Sequence, residues 1–167
     1  MSKLIFNEYN LLDWIEPNKD RLGLGQLSRN PNPQAIAILL ANINENNNKK
    51  IDWDYLSGNS APEAIAMLAL NPDKINWDML SGNPNPEAIA MLQANPDKIV
   101  WFYLSENPAP EAIAMLKACP EKINWSILSR NPAPEAIAML KACPEKINWL
   151  YLSRNPSIFK KKQMNMY

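Results

Sequence analysis

The side chains that could perform covalent chemistry in this chain are few and regularly placed. Glu63, Glu87, Glu111 and Glu135 recur every 24 residues, and Cys119 and Cys143 share that interval. Paired carboxylates can serve as general acid and base, and a thiol can serve as nucleophile or metal ligand. The chain contains no histidine, however, which removes the commonest general base, every Ser–His or Cys–His pair and most zinc sites. None of the four glycines belongs to a GxGxxG or GxxxxGK(S/T) phosphate loop, Gly23 and Gly25 of LGLGQL included. Each glutamate falls in the first turn of a predicted helix, where the helix dipole accounts for it. The cysteines occupy equivalent positions in adjacent repeats. Helices stacked roughly 8 to 10 Å apart hold such positions beyond the ~7 Å limit for a disulfide, so reduced thiols are expected. The chain is therefore expected not to be an enzyme and to use no cofactor, no metal and no small-molecule substrate.

A second class of chemistry is recognition. Trp53, Trp77, Trp101, Trp125 and Trp149 are spaced by 24 residues without a slip. Stacked aromatics can bind bases or proline-rich peptides, but a Trp fixed beside Ile and Leu in every repeat predicts an inter-repeat core instead. Recognition should lie where the repeats differ while keeping their frame. The residue after Trp reads Asp54, Asp78, Phe102, Ser126 and Leu150, and the residue before Asn reads Arg29, Gly58, Gly82, Glu106, Arg130 and Arg154. Lys117 and Lys141 replace Ala69 and Gln93 of earlier repeats. The candidate partner-binding residues are thus Arg130, Arg154, Lys117, Lys141, Phe102 and Leu150, the last two as exposed apolar side chains.

The elements that must position these residues follow from the repeat. Residues 107–125, NPAPEAIAMLKACPEKINW, recur identically at 131–149, and looser copies run back toward the N-terminus. A period of this size marks stacked supersecondary units. In each unit Pro opens a helix, preceded by Asn85 as cap in one copy, and the next Asn-Pro closes it, because the residue before proline is pushed out of the helical region. A short second helix, of α or 3-10 type, is predicted from Trp77 to Ser81, capped by Asn76, with Asp52, Asn124 and Asn148 in the matching places. Ile75 and Leu80 have the spacing of a hydrophobic staple. Val100 breaks the capping pattern. The Asn ladder, from Asn30 through Asn59, Asn83, Asn107 and Asn131 to Asn155, is expected to satisfy turn and helix-end amides.

At the ends the pattern degrades. Residues 1–28 read as a capping repeat in which Leu12, Trp14 and Ile15 take the places of Ile65, Met67 and Leu68. An Asn-rich insertion at 43–50 lengthens one repeat by five residues and predicts a protruding loop. Residues 156–167 read as a C-terminal cap, Ile158 and Phe159 forming a hydrophobic lid, followed by the basic tail KKKQMNMY. The 167 residues, 47% apolar, predict one domain spanning 1–167, with tandem repeats over 29–155. No apolar run is long enough to span a bilayer, and the first residues lack the pattern of a signal peptide, so no membrane insertion and an intracellular location are expected. The net charge is zero but unevenly spread. Residues 52–116 carry nine acidic side chains against Lys74 and Lys98, and 117–167 carry nine basic ones against Glu121, Glu135 and Glu145.

The motif NPxPEAIAML followed by NPDKINWxxLS resembles the short Asn-Pro and Trp-bearing tandem repeats encoded by large DNA viruses of protists and algae, over residues 20–159. More distantly, the 24-residue period with paired prolines is similar to the leucine-rich repeat variant family. That second resemblance implies an all-α, right-handed α-solenoid of about six repeats, each an α-helix plus a short α or 3-10 helix. INW stands where the variant family favours Val-Arg, and neither resemblance carries a catalytic residue across. The first implies a viral protein in the host cytoplasm or the virus particle.

Three functions are compatible with these features. The leading expectation is a non-enzymatic scaffold for protein–protein interaction. A structural or assembly component of a particle, self-associating through its oppositely charged parts, is the alternative. The third is nucleic-acid backbone binding by the basic C-terminal third and Lys160 to Lys162. The acidic middle segment and overall neutrality disfavour it, since backbone binders carry a clear positive excess.

Overall fold

The computed structural model describes residues 10–43 and 51–159. All secondary structure among these residues is helical, and helix pairs repeat in a regular pattern. The chain divides into two compact units, Met1–Lys98 and Ile99–Tyr167. Residues 44–50 of the insertion loop predicted at 43–50 and the basic tail from residue 160 lie outside the described residues, as do residues 1–9.

From Pro62 onward each repeat carries a long helix, a one-turn 3-10 helix and a short α-helix. In the first unit the long helices are Pro33–Ala41, Pro62–Ala69 and Pro86–Ala94, and the short ones are Leu24–Leu27, Trp53–Gly58 and Trp77–Ser81. In the second, long helices Pro110–Ala118 and Pro134–Ala142 alternate with short helices Trp101–Glu106, Trp125–Leu128 and Trp149–Leu152. Within each unit, long helices pack on long and short on short, giving two layers.

Proline sets these boundaries. Every long helix has Pro in its first turn, where the missing N–H costs no hydrogen bond. Asn32 and Asn85 cap two of them, accepting from the N–H of Gln34 and Glu87. The 3-10 turns fall at Pro72–Lys74, Pro96–Lys98, Pro120–Lys122 and Pro144–Lys146. The Trp-bearing helices are α, one of the two types expected of them, and 3-10 geometry falls at the proline turns instead. The physical reason is that Pro72 opens a turn closed by Lys74 N–H donating to the Asn71 carbonyl, and the next residue, Ile75, is extended. One further, long bond, from Ile75 N–H to the Pro72 carbonyl at 3.5 Å, closes the turn, and the extended backbone of Ile75 ends it.

The short helices are capped as their sequences require. Asn76, Asn124, Asn148 and Asp52 each accept from an N–H of the first turn, whereas Val100 offers no side-chain cap. Val100 nevertheless has the backbone angles of a cap, φ −97° and ψ 94°, against −83° and 94° at Asn124. Val100→Asn is therefore expected to stabilise the second unit by about 1 kcal/mol. Urea denaturation of the variant beside the parent checks this, and an unchanged or lower midpoint would contradict it.

The core is aliphatic. Ala64, Ala88, Ala112 and Ala136 are fully buried, and their small size lets the long helices approach closely, while Ile89, Leu92, Ile113, Leu116, Leu80, Leu104 and Leu128 fill the space between layers. No Trp of the ladder belongs to this core. Trp53, Trp77, Trp101 and Trp125 are half-buried and Trp149 is 67% exposed, so the expectation of a tryptophan core is corrected. Each Trp opens its short helix directly after the cap, and the inward place three residues on belongs to Leu. The N-terminal cap also differs: Leu12 and Trp14 are 61% and 74% exposed. Pro17 blocks continuation of a helix from Glu16, leaving the 3-10 helix Glu16–Arg21 in place of a long helix. Phe159, at 76% exposure, likewise does not form a lid.

Candidate functional site

The frame of each repeat is a network of buried asparagine and serine. Asn83 donates both Nδ2 hydrogens to the preceding repeat, to the Ser57 and Asn59 carbonyls at 2.9 and 3.0 Å, and its Oδ1 accepts from Asn85 N–H at 3.0 Å. Asn59, Asn131 and Asn155 repeat the arrangement within their units. Ser57 Oγ donates to the Trp53 carbonyl and accepts from Asn76 N–H of the next repeat, and Ser28, Ser105 and Ser129 do the same with Asp52, Asn124 and Asn148. These side chains are buried and fully used, as burial requires. Sequence reasoning anticipates their role in turns. That the asparagine amides reach 24 to 31 residues back is visible only in the fold.

With the frame consumed in this way, variable positions are carried outward. Phe102 and Glu106 stand four residues apart on the helix Trp101–Glu106 and so share one face, and the same register relates Ser126 to Arg130 and Leu150 to Arg154. Phe102 is 45% exposed and Leu150 68%. Phe102 packs edge-on against Tyr103, with ring centroids 5.2 Å apart. Arg130 pairs with Glu106 of the preceding repeat at 2.9 Å, so these equivalent positions touch, and Arg154 continues the same repeat position as a stripe. In the first unit Arg29 lies over the Tyr55 ring, 3.2 Å from its centre. The position after Trp also meets the next repeat: Asn76 Nδ2 donates to Asp54 at 2.8 Å, and Asn148 Nδ2 to Ser126 Oγ at 3.3 Å.

Four of the six candidate residues, Phe102, Arg130, Leu150 and Arg154, thus belong to the short-helix layer of the second unit. Lys117 and Lys141 are exposed in the last turns of the long helices. No hydrogen bond or ion pair joins either lysine to the short-helix stripe, so the two basic ladders are separate features. Sequence reasoning missed the contact of Lys146 with Trp125, its ammonium 4.6 Å from the ring centre, which sets the 3-10 turn of one repeat over the Trp of the repeat before. It also missed a cleft of about 460 Å³ at the C-terminal end of the second unit, lined by Ile137, Leu140, Ile147, Leu152 and Ile158 among others.

The groups with catalytic chemistry stay dispersed. Glu63 is half-buried, Glu87, Glu111 and Glu135 are exposed, and each lies in the first turn of a different helix. Cys119 and Cys143 are free thiols ending two long helices. Among the described residues no three His, Cys, Asp or Glu side chains are grouped as metal ligands, and no helix is long and apolar enough to cross a membrane. Comparison with protein-family models, curated proteins and solved structures finds no match to this chain.

Proposed function

We propose that this chain is a non-enzymatic α-solenoid, right-handed and of about six repeats, that serves as a scaffold for protein–protein interaction. The observation that carries the reading is the division of labour within each repeat. Asn, Ser, Ala and Leu are consumed by the frame, while the stripe Glu106, Arg130 and Arg154, flanked by exposed Phe102 and Leu150, varies without disturbing it. An apolar side chain beside a guanidinium suits a partner surface that offers an apolar pocket rimmed by carboxylates. Lys117 and Lys141 extend the basic character to the other layer. The resemblance to tandem repeats of large DNA viruses supports an intracellular setting, in host cytoplasm or virus particle. It also keeps assembly of a particle as a second reading, favoured by the repeat-edge geometry described below.

The test is affinity capture from the native cell, after nuclease treatment, with the parent and the Arg130→Glu/Arg154→Glu variant. One protein recovered stoichiometrically by the parent and lost by the variant is the expected result. Because Arg130 forms an exposed ion pair, the variant should lose no more than about 1 kcal/mol of stability. Equal capture by both would contradict the reading. Recovery of nucleic acid in place of protein, without nuclease, would transfer the function to backbone binding.

A further inference from the structure

The two ends of the repeat array carry the two halves of its own inter-repeat interface. At the C-terminal edge, Ser153 Oγ donates to the Trp149 carbonyl and accepts from no described residue, whereas Ser57, Ser105 and Ser129 each accept from the next repeat. Among the described residues the Ser153 carbonyl accepts no hydrogen bond, and the Asn155 carbonyl accepts a long one, 3.5 Å, from Ile158. Their counterparts Ser57 and Asn59 hold the Nδ2 of Asn83 between them. Ile137, Ile147 and Leu152 are only half-buried and line the terminal cleft, where Ile113, Ile123 and Leu128 of the preceding repeat are buried. Trp149 is 67% exposed, while Trp125 lies under Lys146.

The N-terminal edge has the matching donors. Asn30 accepts from Asn32 N–H, as every ladder asparagine does two residues on, but its Nδ2 donates to no described residue, and the side chain is exposed. Asn32 Nδ2 is likewise unengaged, where its equivalent Asn85 donates to the Ser60 carbonyl. Gly23 N–H, in the place of Asn76 N–H, has no acceptor among the described residues. Arg21 stands where Lys146 stands, three residues before the residue that opens the short helix.

The geometry points to end-to-end association of this chain with a second copy of itself, the acceptor edge at Trp149, Ser153 and Asn155 receiving the donor edge at Arg21, Gly23 and Asn30. The register is that of the junctions within each unit. Gly23 N–H donates to Ser153 Oγ, Asn30 Nδ2 to the Ser153 and Asn155 carbonyls, Asn32 Nδ2 to the Pro156 carbonyl, and Arg21 covers Trp149. The contact is heterologous, so each copy keeps one free edge and the assembly grows as a chain or closes as a ring. Its hydrogen bonds use none of the side chains assigned to the lateral stripe, although the register that sets Arg130 against Glu106 brings Arg154 beside Arg29 of the next copy; the test below reads the junction separately from the scaffold reading.

Sedimentation velocity of the full-length protein over a concentration series tests the inference, with Arg21→Glu/Asn30→Ala to block the donor edge and Ser153→Arg to block the acceptor edge. All three side chains are exposed, and circular dichroism checks that the fold survives. The parent is expected to associate in steps of one chain. Each blocked variant alone should be monomeric, and an equimolar mixture should form a one-to-one dimer and nothing larger, because only one competent junction remains. Trp149→Ala, at an exposed site, should weaken parental association about tenfold, a loss of ~1.4 kcal/mol. A parent that stays monomeric to about 1 mM, the weak end of the affinity scale, overturns the inference. So does a blocked variant that still associates alone, or a mixture that does not.

Discussion

Asn131→Ala is expected to lower the stability of the Ile99–Tyr167 unit by about 3 to 6 kcal/mol, since it strands three buried polar groups at ~1 to 3 kcal/mol each. The Ser105 and Asn107 carbonyls lose donors at 3.1 and 2.9 Å, and Ala133 N–H loses its acceptor at 3.0 Å. Asn131 is fully buried, so water cannot replace the amide without opening the junction. Asn131→Asp is the sharper probe because it preserves shape. At neutral pH it turns a donor of two hydrogens into an acceptor facing two carbonyls, and should destabilise at least as much as alanine does. Urea denaturation followed by circular dichroism measures both. A loss under about 1 kcal/mol, the net value of one ordinary hydrogen bond, would mean that apolar packing alone joins the repeats.

The second large effect separates the aliphatic seam from the tryptophan ladder. Leu128 is completely buried, and Leu128→Ala should cost about 3 to 4 kcal/mol through lost transfer energy and a residual cavity. Trp125 is half-buried at the rim under Lys146. Trp125→Ala removes part of a ring's burial and an exposed cation–π contact of ~0.5 to 1 kcal/mol, and should cost less than about 2 kcal/mol. The larger residue is thus expected to matter less. The reverse order in denaturation midpoints would return tryptophan to the core.

The contrast shows where sequence reasoning ends in this chain. Local rules placed the proline-bounded helices, the caps at Asp52, Asn76, Asn124 and Asn148, and the missing cap at Val100, because each depends on residues within one turn. The period also located the outward positions, since Glu106 and Arg130 are equivalent residues and do touch. A strict period cannot say whether a conserved-looking ladder lies in the seam or along its rim, and Trp was assigned to the wrong one. The reach of Asn83 to the Ser57 and Asn59 carbonyls joins residues far apart in sequence, and no local pattern announces it. The end repeats misled for a related reason. Leu12, Trp14 and Phe159 have the types of core residues, but their burial depends on a neighbouring repeat.

The claim on which the account rests is that the asparagine side chains join the repeats and so free the outward residues to vary. Amide hydrogen exchange on the full-length protein tests it most directly. Ala61, Asn85 and Ala133 precede their helices, outside any regular hydrogen-bonding pattern, yet their N–H groups donate to the buried Oδ1 of Asn59, Asn83 and Asn131. These three amides are expected to exchange as slowly as the core helix amide of Leu128, opening only when a junction opens. Exchange as fast as that of the exposed turn amide of Asp73 would contradict the account and leave the repeats held by apolar contact alone.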